Sequence, residues 1–241
     1  MEYYYTPADE ININESRLFI RKDEFRHLIK VLKKKINDKI VITDGNRNVY
    51  DCYIKSISKD KIECGILNTR YNINEPKIKI TLALSLLKNL DRFEFAIEKA
   101  VELGVSEIYP VITEYSINKK GLSDTKIKRL NSISLSAMQQ SQRCFLPVVH
   151  NSINFFELIS ISEYFESKIL MYEFAESKNK IENRNLKNNC LLLIGPEGGF
   201  SKLEVESLIS QNWNVFSLGE RKLRAETAAI ISVFDILNKI K

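Results

Sequence analysis

The sequence is poor in the residues that build metal sites, disulfide frameworks and membrane spans. Its 241 residues include four cysteines and two histidines, with no C-x-x-C pair, so neither a disulfide framework nor a zinc site is indicated. The five prolines and eight glycines exclude a low-complexity chain. No run of about 18 apolar residues could span a bilayer, and the N-terminus MEYYYTPADE lacks a basic segment followed by an apolar one. We therefore expect a globular, cytoplasmic protein without a metal or a membrane partner.

Positive charge is concentrated in one window. The whole chain has a net charge of +5, which is too mild to indicate a partner. Residues 21–39, however, hold eight lysines or arginines against three acidic residues. A cluster of this kind is typical of a surface that contacts nucleic-acid phosphates. A solvated helix face is the alternative.

The N-terminal part of the chain is predicted to be rich in β-structure, with one short helix. From Asp23 onward, apolar residues recur at helical spacing. Asp44-Gly45 is a turn signal. Strand patterns occur at residues 39–43, 48–57 and 61–67. Together these patterns indicate a small β-barrel or sheet, which could act as a basic substrate-binding module.

Strand and helix patterns alternate in the rest of the chain, after a polar stretch that carries Pro76. This change predicts two domains, residues 1–73 and 74–241. The predicted strands of the second domain are residues 79–87, 107–113, 168–172, 191–194 and 215–218. Its predicted helices begin at Asp91 and Lys202 and span residues 126–141 and 226–239. Such alternation favours an α/β fold with a parallel sheet and helices on both faces, and ligands bind beyond the carboxyl ends of the strands in sheets of this class.

Three local features refine this prediction. Asp91 is expected to cap its helix, with Glu94 at capping-box spacing and Gly104 as the stop. The polar residues 179–189 are expected to form a loop. The last helix has an apolar stripe wide enough for the core or for a partner subunit, and the core is the favoured interpretation.

Two glycine-containing stretches follow buried strand patterns near the C-terminus: CLLLIGPEGGFS at residues 190–201 and FSLGERKLRAETAA at residues 216–229. Three glycines in the first stretch would let the backbone approach a ligand closely, or would simply form a tight turn. Ser201 and Glu204 have capping-box spacing, so a helix should begin directly after the glycines.

The spacing of these glycines excludes the common phosphate-binding motifs. Residues 195–199 fit neither G-x-G-x-x-G nor G-x-x-x-x-G-K-[ST], and no Ser-His-Asp or Cys-His set is apparent. His150 is expected to be structural. What remains is backbone, apolar residues and a charged set that suits an adenosine-type ligand better than a polyphosphate: Glu197, Glu220, Arg221, Arg224 and Glu226.

The paired stretches IGPEGGFS and LGERKLRAETAA resemble the signature of the SPOUT, or trefoil-knot, RNA methyltransferases. The similarity narrows to the bacterial family that methylates N3 of a uridine in 16S ribosomal RNA. Three further segments support it: DRFE at residues 91–94, EKAVELGV at residues 98–105, and QSQR at residues 140–143 followed by Pro147. The start MEYYY lacks the arginines that are common at the family's N-terminus.

This resemblance implies an S-adenosyl-L-methionine-dependent enzyme that methylates uridine N3 in the RNA of the small ribosomal subunit. It implies a C-terminal SPOUT α/β domain with a deep trefoil knot and a small N-terminal PUA-like β-barrel domain that binds RNA. Topology rules nearly exclude knots, so periodicity could not have indicated one. The resemblance also implies a homodimer, with the active site where two knotted domains meet.

The resemblance and the local chemistry also predict site residues. The expected cofactor contacts are Leu170, Met171, Tyr172, Gly195, Pro196, Glu197, Gly198, Gly199, Leu218, Gly219, Leu223, Arg224, Ala225, Thr227 and Ala228. The expected RNA contacts are Arg21, Lys22, Arg26, His27, Lys30, Lys33, Arg92, Gln140 and Arg143. Two residues are candidates for catalysis. Arg224 is expected to stabilise the uridine anion or to anchor a phosphate, and Glu226 could be the base, although a cap is favoured for it.

Two other functions remain open from the sequence. One is a knotted methyltransferase that acts on transfer RNA or on a ribose 2′-hydroxyl, and the segments around Glu98 and Gln140 argue against it. The other is an RNA-binding protein without catalytic activity, against which the intact Gly219, Arg224 and Glu226 speak.

Overall fold

The computed structural model describes residues 2–175 and 186–239. The chain divides into two compact units. The first consists of Met1–Glu75 and Met138–Leu146, and the second of Pro76–Ala137 and Pro147–Lys241. The return of residues 138–146 to the first unit was not indicated by the sequence.

The first unit contains a six-stranded sheet with the order β1-β4-β5-β6-β3-β2. Its strands are β1 (Tyr3–Tyr5), β2 (Ile11–Asn12), β3 (Arg17–Arg21), β4 (Lys39–Thr43), β5 (Asn48–Ile57) and β6 (Lys61–Tyr71). Strands β4 and β5 have the predicted bounds, whereas β6 continues to Tyr71. Alternate residues point to one face, and Leu18, Ile20 and Ile62 are fully buried there.

A short helical segment follows β3 in the first unit. Helix α1 (Lys22–Arg26) continues directly into a π-helical turn, His27–Val31. It begins one residue before the predicted start. Leu28 is fully buried in the core cluster of the sheet, so the predicted apolar spacing does anchor this segment.

The second unit contains a seven-stranded sheet with the order β10-β8-β7-β12-β11-β13, and β9 pairs with β8. All of its pairings are parallel, as the alternating pattern predicts. The strands are β7 (Lys79–Ser85), β8 (Glu107–Ile112), β9 (Val148–Val149), β10 (Ile153–Asn154), β11 (Ser167–Met171), β12 (Asn189–Ile194) and β13 (Asn214–Phe216). The helices are α2 (Leu90–Leu103), α3 (Asp124–Gln140), α4 (Phe155–Ser162), α5 (Lys202–Ser210) and α6 (Ala225–Lys239).

Helices cover both faces of the parallel sheet. Leu191 and Leu193 of β12 share a buried cluster with residues of α4 and α5. Cys190 and Leu192 point to the opposite face and are also fully buried, and α6 packs against β12 and α2. The long apolar run of β12 follows from burial on both faces.

Helix ends confirm one capping prediction and correct another. Ser201 and Glu204 form the predicted capping box at α5. Helix α2, however, is capped by Asn89, whose Oδ1 accepts hydrogen bonds from the N–H groups of Asp91 (2.7 Å) and Arg92 (3.4 Å). The prediction that Asp91 is the cap was therefore wrong, because the helix begins at Leu90 and its cap lies two residues before Asp91. Gly104 ends α2 with a φ of +123°, as expected.

Helix α4 was not predicted, although Asn154 and Glu157 form a capping box at its start. The predicted loop at residues 179–189 lies mostly outside the described residues, and Asn189 already belongs to β12. Within the described ranges, no helix is both long and apolar enough to cross a membrane.

Candidate functional site

Three parallel strands of the second unit end side by side. Met171 of β11 pairs with Ile194 of β12 and with Phe216 of β13, and each is the last residue of its strand. The loops that follow therefore leave the same edge of the sheet. Beyond these carboxyl ends is the place where parallel sheets bind ligands.

A cavity of about 310 Å³ lies between these three loops. Most of the predicted cofactor residues line it: Met171, Tyr172, Gly195, Pro196, Glu197, Gly199, Leu218, Gly219, Leu223, Arg224, Ala225 and Ala228. Six lining residues were not in the predicted set: Glu173, Ile194, Phe200, Ser217, Arg221 and Lys222. Five of them directly adjoin a predicted residue in sequence, and Arg221 lies two residues from both Gly219 and Leu223, so the signal was present and the boundaries of the loops were drawn too narrowly.

Three predicted cofactor residues do not line the cavity. Leu170 is fully buried in the core of the sheet. Thr227 lies in the first turn of α6. Gly198 faces another loop, since a Cβ atom placed on it would lie 2.9 Å from Cβ of Tyr115.

Glycine occupies its positions in the two stretches for different physical reasons. A Cβ on Gly195 would lie 2.8 Å from the Phe200 ring, so this glycine is required by packing within the turn, whereas Gly198 is required by packing against Tyr115 of another loop. A Cβ on Gly219 would meet nothing within 4 Å, and its φ of +112° favours glycine. Gly219 therefore leaves open space on the wall of the cavity, where a ligand can approach the backbone.

Charged groups of both signs surround the cavity. Nζ of Lys222 lies 3.5 Å from Oε1 of Glu173, and these two lining residues come from different loops. Arg221 and Arg224 add positive charge, and Glu197 adds a carboxylate. This mixture over a largely apolar wall suits a ligand that carries charges of both signs on an uncharged ring system.

Glu197 also braces the turn that carries it. Both of its carboxylate oxygens accept a hydrogen bond from the Lys88 N–H, at 3.2 and 3.3 Å. Lys88 follows β7, which is the neighbour of β12 in the sheet. The side chain therefore fixes the glycine-rich turn to the adjacent strand end and at the same time lines the cavity.

The two candidate catalytic residues stand in different surroundings. Arg224 is exposed, lines the cavity and precedes α6. Glu226 is buried, with 8% of its surface exposed. Its Oε1 lies 3.7 Å from Nε of Arg92 on α2. Arg92, which was expected to contact RNA, therefore pairs with Glu226.

The basic window of the first unit is mostly exposed. Lys22, Lys30 and Lys33 are exposed, as is Arg26, whose guanidinium pairs with Asp23 at 2.9 Å. His27 is half-buried. This arrangement leaves lysine ammonium groups along the helical segment accessible to phosphate.

Two other predicted RNA contacts lie in the same unit. Arg21 pairs with Glu10 at 2.8 Å and lies 5.8 Å from the centre of the Phe19 ring, so it is already engaged in contacts within the protein. Gln140 is exposed at the end of α3.

Arg143 does not lie at a surface. Its side chain is 3% exposed and its Nη2 donates to Oε2 of Glu75 at 2.7 Å, with the Glu75 side chain 2% exposed. Oε1 of Glu75 accepts from the N–H groups of Cys144 (2.9 Å) and Phe145 (3.0 Å). The predicted contact between Arg143 and RNA disagrees with this burial, because the guanidinium is enclosed beside Glu75.

His150 is held by neighbouring side chains of the second unit. Its ring stacks on Tyr109, with centroids 4.1 Å apart, and its Nε2 lies 3.3 Å from Oε2 of Glu107. The hydrogen bond with His150, together with Lys79, lowers the pKa of Glu107 to about 2. Among residues 2–175 and 186–239, no three His, Cys, Asp or Glu side chains form a group that could hold a metal ion.

Comparison with known families agrees with this architecture. Residues 74–236 match the model of an RNA methyltransferase domain, and residues 20–67 match the model of an RNA methyltransferase PUA domain. The chain therefore belongs to this family of RNA methyltransferases. This confirms the family that the sequence resembles, as well as an α/β fold with a PUA domain at its N-terminal end.

Particular relatives cover almost the whole chain. Ribosomal RNA small subunit methyltransferase E of Mesomycoplasma hyopneumoniae is 34% identical over 91% of this chain and 94% of its own length. The protein of the same name from Bacillus subtilis is 30% identical over 97% of this chain and 94% of its own length. The crystal structure of ribosomal RNA small subunit methyltransferase E from Neisseria gonorrhoeae, bound to S-adenosyl methionine, has a TM-score of 0.82 at 27% identity, covering 97% of this chain and 95% of that one.

Proposed function

We propose that this protein transfers the methyl group of S-adenosyl-L-methionine to N3 of a uridine in the 16S RNA of the small ribosomal subunit. The observation that carries this proposal is the cavity at the carboxyl ends of β11, β12 and β13, which is lined by the two glycine-containing stretches of the family signature. The relatives named for small-subunit RNA methylation match this chain along nearly its whole length. Such a substrate is consistent with the expected cytoplasmic location.

The residues of the cavity fit S-adenosyl-L-methionine. The open side of Gly219 leaves room beside the backbone, and Met171, Leu218 and Leu223 offer apolar surface to an adenine ring. The acidic and basic side chains of the lining match the ammonium, sulfonium and carboxylate groups of the cofactor. When bound, S-adenosyl-L-methionine would supply a methyl group on a positively charged sulfur. A nucleophilic nitrogen can accept this methyl group as the carbon–sulfur bond breaks and the sulfur leaves as the neutral thioether S-adenosylhomocysteine.

Arg224 is proposed to make N3 of the uridine a nucleophile. N3 carries a proton, which passes to solvent water, and its loss leaves a negative charge on the base. A guanidinium fixed at the wall of the cavity stabilises that charge. Alignment of N3 with the methyl group can contribute about 7 kcal/mol or more, and the converging loops supply that alignment.

Glu226 is proposed to hold α6 rather than to remove the proton from N3. Its carboxylate is buried and lies beside Arg92, so it ties the first turn of α6 to α2. That turn follows Arg224 directly, so the pair supports the position of Arg224.

The experiment that tests the proposed function uses small ribosomal subunits from cells that lack this gene. Purified protein and S-adenosyl-L-methionine are added, and the methylated nucleotides are mapped by mass spectrometry. We expect N3-methyluridine in the 16S RNA. A methyl group found on transfer RNA or on a ribose hydroxyl would contradict the proposed substrate and would favour the alternative methyltransferase. If the protein neither binds the cofactor nor transfers a methyl group, it is a non-catalytic RNA-binding protein.

Replacing Gly219 with valine is expected to weaken cofactor binding. The added side chain enters the open space at the wall of the cavity, where it would collide with the bound cofactor. If this overpacking weakens the free energy of binding by about 1–3 kcal/mol, the dissociation constant rises about 5- to 150-fold. Calorimetry with S-adenosyl-L-methionine measures it. The matched control is Gly121→Ala, because Gly121 also has a positive φ (+76°) but lies beside Ser152. Equal affinity in the Gly219→Val variant and the wild type would contradict the assignment of the cavity.

Residues 1–73 are proposed to be the RNA-binding domain and residues 74–241 the methyltransferase domain. The exposed Lys22, Lys30 and Lys33 are proposed to contact phosphates, together with Arg26. We expect the RNA affinity of the variant in which all three lysines are changed to glutamine to depend less steeply on salt. If each lysine contacts one phosphate, the slope of log K against log salt concentration should become smaller in magnitude by nearly three. Matched changes at Lys126, Lys128 and Lys202 are the control, and an unchanged slope in the first variant would contradict the proposed surface.

The chain is also proposed to form a homodimer through α2 and α6. These helices pack on each other and expose Phe95 (46%), Ile231 (40%) and Phe234 (56%). Apolar side chains of this size on adjacent helices are typical of a protein interface. Sedimentation equilibrium would measure twice the mass of the chain, and a monomer at every concentration would contradict the proposal.

The trefoil knot remains a proposal as well. The chain leaves β13 at the edge of the sheet and returns as α6 against the central strand β12, so residues 217–224 must pass the end of β11, which lies between these two strands. Stretching single molecules tests this, because a knotted chain stays shorter than its full contour length. An unfolded chain that reaches the full length would exclude a knot.

A further inference from the structure

We propose that Tyr115 stacks on a base of the RNA substrate beside the cofactor cavity, and that Glu204 is the positioning residue that holds Tyr115 in place. This inference rests on the proposed function, because it assigns a part of the RNA site of the same enzyme. Neither residue was among the predicted site residues. Both lie in the second unit, close to the glycine-rich turn of the cavity.

The loop that carries Tyr115 has a fixed backbone. It follows β8, and the Thr113 N–H donates to Oγ of Ser116 at 3.1 Å. The ammonium group of Lys119 donates to the carbonyl oxygens of Thr113, at 3.0 Å, and of Glu114. Ser116 is buried. Hydrogen bonds on both sides of Tyr115 therefore hold its Cα in one position.

Glu204 connects this loop to the turn of the cavity. Glu204 is buried, with 6% of its surface exposed. Oε1 accepts a hydrogen bond from the Glu114 N–H at 2.8 Å, and Oε2 accepts one from the Ser201 N–H at 3.0 Å. Ser201 directly follows Phe200, which lines the cavity. One buried carboxylate thus fixes the residue before Tyr115 and the end of the glycine-rich turn relative to each other.

Tyr115 itself lies against that turn. Only a glycine fits at position 198, because a Cβ there would come within 2.9 Å of Cβ of Tyr115. The residues on either side, Glu197 and Gly199, line the cavity. Although its backbone is fixed, 48% of Tyr115 is exposed. An aromatic side chain is therefore held at the rim of the cavity with much of its surface open.

The chemistry of this rim suits single-stranded RNA. Bases that are unpaired stack on aromatic side chains, and every base has a face that can stack. Lys88, whose N–H contacts Glu197, and Lys120 of the Tyr115 loop are both exposed and supply positive charge for phosphates. A base stacked on Tyr115 would place its neighbouring nucleotide near the cofactor. If Tyr115 only covered Gly198, it would affect stability and not RNA affinity.

The test measures the KM for small-subunit ribosomal RNA in three variants. Tyr115→Ala should raise this KM about 5- to 150-fold, the range for loss of one stacked base, with kcat and cofactor affinity within about twofold of the wild type. Tyr115→Phe keeps the ring and should stay within about twofold in KM. Tyr164→Ala, at another exposed tyrosine (81%), is the matched control. A wild-type KM in Tyr115→Ala would overturn the proposal.

A second readout does not depend on catalysis. Trp213, the single tryptophan, is buried, so a base cannot stack on it. The added tryptophan of Tyr115→Trp should lose fluorescence when a transcript of small-subunit ribosomal RNA is added, whereas that of Tyr164→Trp should not. Absence of quenching at saturating RNA would overturn the stacking proposal even if the protein methylates ribosomal RNA. Quenching without any methyl transfer would instead retain the stacking and contradict the proposed function.

The role of Glu204 is tested by a double-mutant cycle. Glu204→Gln should raise the KM for RNA in the presence of Tyr115 and have little further effect in the Tyr115→Ala background, because positioning matters only when there is a ring to position. An equal rise in both backgrounds would overturn the positioning role. Rescue by Glu204→Asp is not expected, since the shorter side chain cannot reach both N–H groups.

Discussion

Replacing Arg224 with alanine is expected to lower kcat for methyl transfer by about 100- to 1,000-fold, the usual cost of removing one donor that stabilises a developing negative charge. The guanidinium lines the cavity, so its loss should act on the uridine anion rather than on the fold. Single-turnover measurements with saturating S-adenosyl-L-methionine and ribosomal RNA give this rate directly.

Variants of two nearby residues test whether the loss of kcat is specific to Arg224. Arg221 has the same side chain and also lines the cavity, and Arg221→Ala should stay within about tenfold of the wild-type kcat if Arg224 alone faces the base. Glu226→Gln should also stay within about tenfold, whereas loss of a general base would cost about 100- to 10,000-fold. A wild-type rate in Arg224→Ala would reject its assigned role.

Replacing Arg143 with alanine is expected to lower the free energy of unfolding by about 3–5 kcal/mol. The substitution leaves the Glu75 carboxylate buried without its charged partner, and uncompensated buried charge is expensive. Urea denaturation of the purified protein measures the change.

The control for Arg143 is an arginine in an exposed pair. Arg129 binds Glu94 through two nitrogens, at 2.6 and 2.8 Å, but its side chain is 66% exposed. Arg129→Ala should therefore cost no more than about 1 kcal/mol. If Arg143→Ala instead had the stability of the wild type and a lower affinity for RNA, the sequence-based prediction that Arg143 contacts RNA would be correct. The buried pair with Glu75 would then contribute little to stability.

Local patterns predicted much of the fold because they act over a few residues. Strand β4 leads into β5 through Asp44-Gly45, where Oδ1 of Asp44 accepts the N–H of Asn46 at 2.7 Å and Gly45 has a φ of +71°. The start of α5 was equally predictable, because the Ser201–Glu204 capping box needs only four consecutive residues. Both signals are complete within the segment that they shape.

Contacts between distant parts of the chain could not be predicted in this way. Arg143 and Glu75 are 68 residues apart, and nothing near either residue indicates burial. In the sequence, Gly198 could be taken for a glycine that lets a ligand approach the backbone. In the structure, a side chain at this position would instead collide with Tyr115, which belongs to a different loop. The candidate cofactor residues were predicted through resemblance to a family, since periodicity only located the strand ends.

The return of residues 138–146 to the first unit also affects the order in which the protein can fold during synthesis. Glu75 has its buried partners on Arg143, Cys144 and Phe145, and Cys144 packs with Tyr3 and Val49. When the first 75 residues emerge from the ribosome, these partners have not yet been made. The N-terminal unit can therefore complete its core only after residues 76–137 of the second unit have been translated, although residues 147–241 are not needed for it.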